Sequence, residues 1–267
     1  MRFVNMLKSK TIDYPIAVLI SDFDGDMKLS CFLNEHMGSR IFWYGYYSAG
    51  ELAFLNSYLK PEMTFLDVGA NQGEFTLFAA KRLVNGRVVS FEPVTDLCDR
   101  LRHNVALNDF SNVLVVSKGL SDREQQLPVY VDTELYRDGT TNEGVATLYP
   151  NESKRRFKQL IELTSLDAFV KSEGLDRIDL IKIDVEGAET SVLRGAVQTL
   201  RRFKPALLLE LSSKNCLAAK SSIEEFLRYL KGLGYIAYGI AGDGGKYLIS
   251  KEVLKDFQNI VCIPEIS

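Results

Sequence analysis

One short stretch, Asp67-Val68-Gly69-Ala70-Asn71-Gln72-Gly73, restricts what this chain can fold into more than any other. It joins an apolar run, Phe65-Leu66-Asp67-Val68, to a helical pattern that continues to about Leu83. Glycines at such a strand-to-helix turn permit a tight bend and close approach of a ligand to the backbone. The N-terminus of the following helix offers unpaired N–H groups to an anionic group. Glu92 ends the next apolar run, twenty-three residues after Gly69. A carboxylate there can accept hydrogen bonds from a ribose diol. Turn and acid together predict a ligand that contains adenosine.

The surrounding rhythm agrees. Short apolar runs at Arg87 to Phe91, Val113 to Val116, Ile178 to Ile183 and Ala206 to Leu211 alternate with helical patterns at Thr95 to Leu107 and Glu189 to Phe203. The runs lack strict polar alternation, as strands buried on both faces of a parallel sheet do. This order predicts an α/β domain with a Rossmann-like doubly wound sheet over residues 61–267. A helix near Ser222 to Leu230 precedes a strand opening at Gly234-Tyr235. Lys246 to Ile249 reads as its hairpin partner, with Gly242 to Gly245 as the turn. Residues 1–60 read as a β-rich N-terminal extension. It holds strands at Ile16 to Ile20 and Lys28 to Leu33, an aromatic cluster of Phe42, Trp43, Tyr44, Tyr46 and Tyr47, and a short helix at Glu51 to Leu59.

Charge selects among adenosine ligands. A dinucleotide fingerprint is G-x-G-x-x-G, and here Asn71 and Glu74 stand in the second and third glycine places. A pyrophosphate would meet Asn71 where bare backbone is needed, with the negative Asp67 and Glu74 nearby. S-adenosylmethionine instead carries an ammonium and a cationic sulfur. Asp67 suits that positive end, and the helix N-terminus suits the carboxylate. A P-loop is excluded, because no G-x-x-x-x-G-K-[ST] occurs.

Composition narrows the partners. A net charge of -3 over 267 residues lacks the basic surplus of a generic nucleic-acid binder. The run Lys154, Arg155, Arg156 and Lys158 reads as a solvated face. Cys31, Cys98, Cys216 and Cys262 form no C-x-x-C pair and have no histidine at metal-ligand spacing, so a disulfide framework or zinc site is not expected. Free thiols, no secretory signal and no apolar stretch near 20 residues predict a cytoplasmic chain without a membrane span.

The second informative segment is Ile181-Lys182-Ile183-Asp184-Val185-Glu186-Gly187-Ala188-Glu189, where carboxylates follow an apolar strand directly. Ligands of open α/β sheets sit at such strand ends. Here the chain resembles FkbM-type methyltransferases. Phe65 to Phe75 resembles their first motif and Ser90-Phe91-Glu92-Pro93 their second. Leu163-Thr164-Ser165-Leu166-Asp167, then Leu180 to Glu189, resembles their strongest stretch, and Ala206 to Glu210 the strand after it. The likeness covers about Thr64 to Leu211. It implies a seven-stranded methyltransferase sheet with a reversed final hairpin, S-adenosylmethionine as methyl donor, and a small-molecule acceptor, a sugar or secondary metabolite methylated on oxygen. By that similarity Asp67, Gly69, Ala70, Asn71 and Gly73 hold the methionine end. Glu92 holds the ribose, Pro93 borders the adenine, and Gly119-Leu120 lies beside it.

Methyl transfer to a hydroxyl benefits from a base. Asp184 and Glu186 are the candidates, with Glu210 third. Alternatively Asp184 fixes the cofactor amino group and Glu186 caps the next helix. A divalent cation would also lower the hydroxyl pKa, although no metal ligand set is assigned. His103 falls within a helical pattern and His36 after a strand, from where His36 can face the site. The aromatic cluster reads as core or as a substrate wall, and the polar stretch Asp132 to Gly144 as a lid. Two rivals stand. One is a non-catalytic module that keeps the cofactor fold. The other is a haloacid-dehalogenase-like magnesium phosphohydrolase, from the likeness of Val18 to Asp26 to a nucleophile motif, although Asp24-Gly25 reads better as a hairpin turn.

Overall fold

The computed structural model describes residues 15–132, 135–141, 146–149, 155–249 and 256–265. The extension opens with an antiparallel hairpin, β1 (Ala17–Phe23) and β2 (Met27–Phe32), turning at Asp24-Gly25. Two helices follow, α1 (His36–Tyr44) and α2 (Ala49–Tyr58). The extension therefore holds helix as well as strand, and Phe42, Trp43 and Tyr44 of the aromatic cluster lie on α1. The hairpin buries alternate residues, Met27, Leu29 and Cys31, against Leu77, Leu101 and Val105 of helices further along the chain. Leu52, Phe54 and Leu55 of α2 pack with Phe65, Phe75 and Phe78. Asn104 and Asn108 stitch β2 on through backbone hydrogen bonds at 2.7–3.1 Å.

The main unit alternates as expected at first: β3 (Thr64–Val68), α3 (Glu74–Arg82), β4 (Arg87–Phe91), α4 (Thr95–Ala106) and β5 (Val113–Val116). Then β6 (Gly119–Leu120), β7 (Gln125–Asp132), β8 (Ala146–Thr147) and β9 (Arg155–Thr164) form a separate sheet, ordered β6-β9-β7-β8. The polar stretch expected as a lid, Asp132 to Gly144, connects β7 to β8 of this second sheet. Residues 133–134, 142–145 and 150–154 lie outside the described residues. The rest runs α5 (Leu166–Glu173), β10 (Leu180–Ile183), α6 (Glu189–Arg194), α7 (Val197–Phe203), β11 (Ala206–Ser212), α8 (Ser213–Ala218), α9 (Ile223–Gly232), β12 (Tyr235–Ile240), β13 (Lys246–Leu248) and β14 (Phe257–Pro264).

The principal sheet has eight strands rather than seven, in the order β13-β12-β14-β11-β10-β3-β4-β5. Strands β5, β4, β3, β10 and β11 are parallel, and β14 runs antiparallel between β11 and β12. The expected hairpin of β12 and β13 exists, with Tyr238 opposite Leu248, but β13 is only the outer edge. The strand inserted into the sheet is β14, whose Ile260, Val261 and Cys262 are fully buried. Every residue of β3 is buried, as a central strand covered by helices on both faces requires.

One helix expected over Glu189 to Phe203 is two. Gly195 breaks it, because its carbonyl turns to accept the Asp167 N–H at 2.9 Å. The Asp167 carboxylate then caps α7, accepting the N–H groups of Gln198 and Thr199 at 3.0 and 2.7 Å. Ser222 and Glu225 form a reciprocal capping box that starts α9. Among the described residues, no helix is long and apolar enough to cross a membrane.

Candidate active site

The C-terminal ends of β3, β4, β10 and β11 surround a cavity of about 170 Å³. At the β3 turn, Gly69 (φ +79°), Asn71 (φ +50°) and Gly73 (φ +103°) are left-handed. Gly69 and Ala70 both donate to the Phe91 carbonyl at 3.0 Å, which ties the turn to β4. A Cβ on Gly69 would stand 1.9 Å from the Asp184 carbonyl oxygen. Its bareness thus serves the close approach of the β10 end, where the sequence led us to expect approach of a ligand. Gly69, Ala70 and Asn71 line the cavity. Gly73 does not: it faces the side chain of Leu101.

Asp67 also lies beneath the cavity rather than in its wall. It is fully buried and accepts from Thr76 Oγ1 at 2.7 Å. Its other oxygen is 3.5 Å from Lys182 Nζ, which is 3.4 Å from Asp184 and donates to the Gly69 carbonyl at 2.9 Å. The register explains this: Lys182 pairs directly with Asp67 across β10 and β3. Lys182 was read only as part of a motif. A lysine inside the apolar run Ile181–Ile183 was its signal, since a buried ammonium requires partners.

Glu92 holds the opposite end. Its two oxygens accept the N–H groups of Asn71 and Val94 at 2.8 and 2.9 Å. Burial raises its pKa to about 7 against the pull of those hydrogen bonds. Beside it Pro93, Val94, Leu97 and Leu120 make an apolar wall, completed by Val129, Ile161 and Leu163 of the second sheet. Gly119, on β6 of that sheet, leaves room for its strand partner: a Cβ there would stand 2.6 Å from the Leu163 side chain and 3.3 Å from Pro93.

Carboxylates gather at the β10 and β11 ends. Asp184, Glu186 and Glu210 all line the cavity. Glu186 is left-handed (φ +53°), and its carbonyl accepts from Thr147 Oγ1 of β8 at 2.8 Å. Asn215 Nδ2 bridges the Glu186 and Glu210 carboxylates at 3.3 and 3.1 Å. Burial, then repulsion from Asp184 and Glu186, pushes the Glu210 pKa well above the carboxylate range. The acid that serves the start of α6 is Glu189, not Glu186: it accepts the N–H groups of Val185 and Gly187, both at 3.2 Å.

The extension completes the wall with Glu35, His36, Met37, Tyr47 and Ser48. Of the aromatic cluster only Tyr47 lines the cavity; Tyr46 donates to Asp24, and Tyr44 is exposed. Buried Glu74 anchors this corner by accepting the Tyr47 and Ser48 N–H groups at 2.6 and 3.4 Å. A strap, residues 135–141, crosses to α1: Thr141 exchanges backbone hydrogen bonds with Asn34 and His36 at 2.7 and 3.1 Å. His103 is exposed on α4. A second cavity of about 330 Å³ adjoins the first and shares His36, Tyr47, Lys182, Asp184 and Glu210 with it. Arg40, Glu51, Phe257 and Asn259 line its outer part. Among the described residues, no group of three or more His, Cys, Asp or Glu is arranged to hold a metal ion.

The phosphohydrolase motif has a structural role instead. Asp24 pairs with Arg82 at 2.8 Å and lies 3.5 Å from Lys81, tying the hairpin to α3. Asp243 accepts the Gly245 N–H within its own turn. Neither residue lines the cavity.

Methyltransferase sdnD of Sordaria araneosa is 33% identical over 158 residues, 51% of this chain and 61% of that protein. The chain therefore spans less than two thirds of that relative's length. The 2-O-methyltransferase NoeI of Sinorhizobium fredii is 24% identical over 197 residues, 69% of this chain and 79% of that protein. The crystal structure of a methyltransferase FkbM from Methylobacillus flagellatus KT shares the fold, with a TM-score of 0.50 at 17% identity over 80% of this chain and 47% of that one. The family model for the methyltransferase FkbM domain matches residues 67–237, more than half of the sequence, and the chain belongs to that family.

Proposed function

We propose that this protein transfers a methyl group from S-adenosylmethionine to a hydroxyl of a small polar acceptor, such as a sugar or secondary metabolite. The observation that carries the reading is the lengthwise polarity of the first cavity. One end is an apolar slot beside Glu92, and the other is ringed by Asp184, Glu186 and Glu210. An adenosine with a cationic tail has that same polarity. Bound there, the sulfonium would supply an electrophilic methyl group, leaving the protein mainly to position and orient.

The residues divide the task. Glu92 would accept from the ribose hydroxyls, and Pro93, Gly119 and Leu120 would flank the adenine. Gly69, Ala70 and Asn71 would face the methionine end, with Asp67 and Gly73 supporting that turn from below. Asp184 and Glu186 would hold the cationic end, and Glu210 would screen the reacting centre. The adjoining cavity suits the acceptor: it meets the first at Asp184 and Glu210 and carries polar groups from Arg40, Glu51 and Asn259. A hydroxyl acceptor is further supported by the 2-O-methyltransferase activity in the name of one relative.

Titration calorimetry with S-adenosylhomocysteine tests the reading. Wild-type protein is expected to bind in the micromolar range, with at least tenfold loss in Glu92→Ala. Folded wild-type protein that shows no binding would sink it.

A further inference from the structure

His36 stands where the two cavities meet, and its ring is fixed on several sides. It stacks on Tyr136 of the strap, with centroids 3.8 Å apart and planes 19° apart, and meets Tyr47 edge-on at 6.0 Å. Nδ1 lies 3.2 Å from Thr140 Oγ1, and Thr140 Oγ1 lies 2.6 Å from Asp138 Oδ1. A hydroxyl has one proton, and Thr140 donates it to the Asp138 carboxylate. Toward His36 its oxygen can therefore only accept. Nδ1 must carry the hydrogen, and the lone pair of the neutral ring falls on Nε2.

We propose that His36 is the general base of the transfer, oriented by Thr140 and Asp138. The inference rests on the methyltransferase reading above. The acceptor, entering by the larger cavity, loses its hydroxyl proton to Nε2 as its oxygen gains the methyl group. The donor leaves as a neutral thioether, and the imidazolium returns its proton to solvent.

The other groups at the junction suit this task less well. Glu210 holds its proton at neutral pH for the reasons given above. Glu186 lines the first cavity but not the second. Asp184 is ion-paired with Lys182. His36 is kept neutral by burial and by the charge of Arg40 one turn along α1, against the opposing pull of Asp138. Glu35, beside it, is neutralised by Arg100 at 2.6 Å.

The tautomer can be read directly, because the chain has only two histidines and exposed His103 serves as the reference. Long-range nitrogen–proton correlation spectra of labelled protein are expected to show His36 protonated at Nδ1. Thr140→Val leaves the Asp138 carboxylate 3.6 Å from Nδ1, so the tautomer is expected to persist while the loosened ring slows transfer about tenfold. With S-adenosylmethionine and methyl glycosides as hydroxyl probes, His36→Gln is expected to lower kcat on the order of 100-fold or more. The same variant should bind S-adenosylhomocysteine within about threefold of wild type and lose the rise of rate through the histidine pKa. An Nε2–H tautomer in the wild type, or full turnover by His36→Gln, overturns the proposal while leaving the methyltransferase reading intact. Failure of the wild type to bind S-adenosylhomocysteine overturns that reading, and this inference with it.

Discussion

The Lys182 ammonium donates to the Gly69 carbonyl at 2.9 Å, so the start of the loop after β3 hangs on a side chain from the neighbouring strand. The same ammonium lies within 3.5 Å of both Asp67 and Asp184, one beneath the cavity and one in its wall. It thereby sets the floor of the site and neutralises a carboxylate that has no access to water.

Lys182→Met should accordingly be costly. It strands the Asp67 carboxylate in the core, and breaking such a buried pair costs about 3–5 kcal/mol. The urea midpoint is expected to fall sharply. Adding Asp67→Asn should recover much of the loss, and a double variant no more stable than Lys182→Met alone would contradict the pairing.

Gly69 and Gly139 share nearly the same left-handed φ, +79° and +81°, yet alanine should act differently at each. At Gly139 nothing lies within 4 Å of a new Cβ, so only the backbone conformation is penalised, by about 1–2 kcal/mol. At Gly69 the Cβ meets backbone at 1.9 Å and the β3 and β10 ends must separate. Thermal unfolding should show a small shift for Gly139→Ala, and a much larger one with loss of S-adenosylhomocysteine binding for Gly69→Ala.

Three buried acids, Glu74, Glu92 and Glu189, have pKa values raised to about 7 by burial. Between about pH 4.5 and 7 the unfolded chain has lost these protons and the folded chain retains them. Stability of the ligand-free protein should therefore decrease as pH rises through that window, and denaturation at stepped pH measures it. Binding should show the opposite trend, because ribose hydroxyls donate best to an ionised Glu92. Affinity for S-adenosylhomocysteine is expected to strengthen from pH 6 to 8, and Glu92→Gln to flatten the profile.

With its pKa pushed up by burial and by Asp184 and Glu186, Glu210 is expected to be protonated at pH 7, and Glu210→Gln would mimic that form. Its stability at pH 7 should lie within about 1 kcal/mol of wild type, because glutamine keeps an oxygen to accept from Asn215. A marked destabilisation would mean that Glu210 is ionised in the folded protein.

Periodicity and residue chemistry alone made much of this protein legible. The buried strands, the β3 turn and Glu92 were readable because each rests on short-range rules: apolar runs for two-sided burial, left-handed turn positions, an acid at a strand end. The carboxylates after β10 were readable as a site because charge following an apolar strand calls for a purpose. Tertiary structure decided the rest, because it depends on contacts between residues distant in sequence. Asp167 splitting one expected helix, and β14 inserting beside β11, are not visible in any local pattern. Asp67 supports the cavity rather than lining it, since the register of β10 on β3 sets Lys182 against it, and Gly73 does so because it faces Leu101. His36 enters the site only because α1 and the strap, about one hundred residues apart, pack against each other.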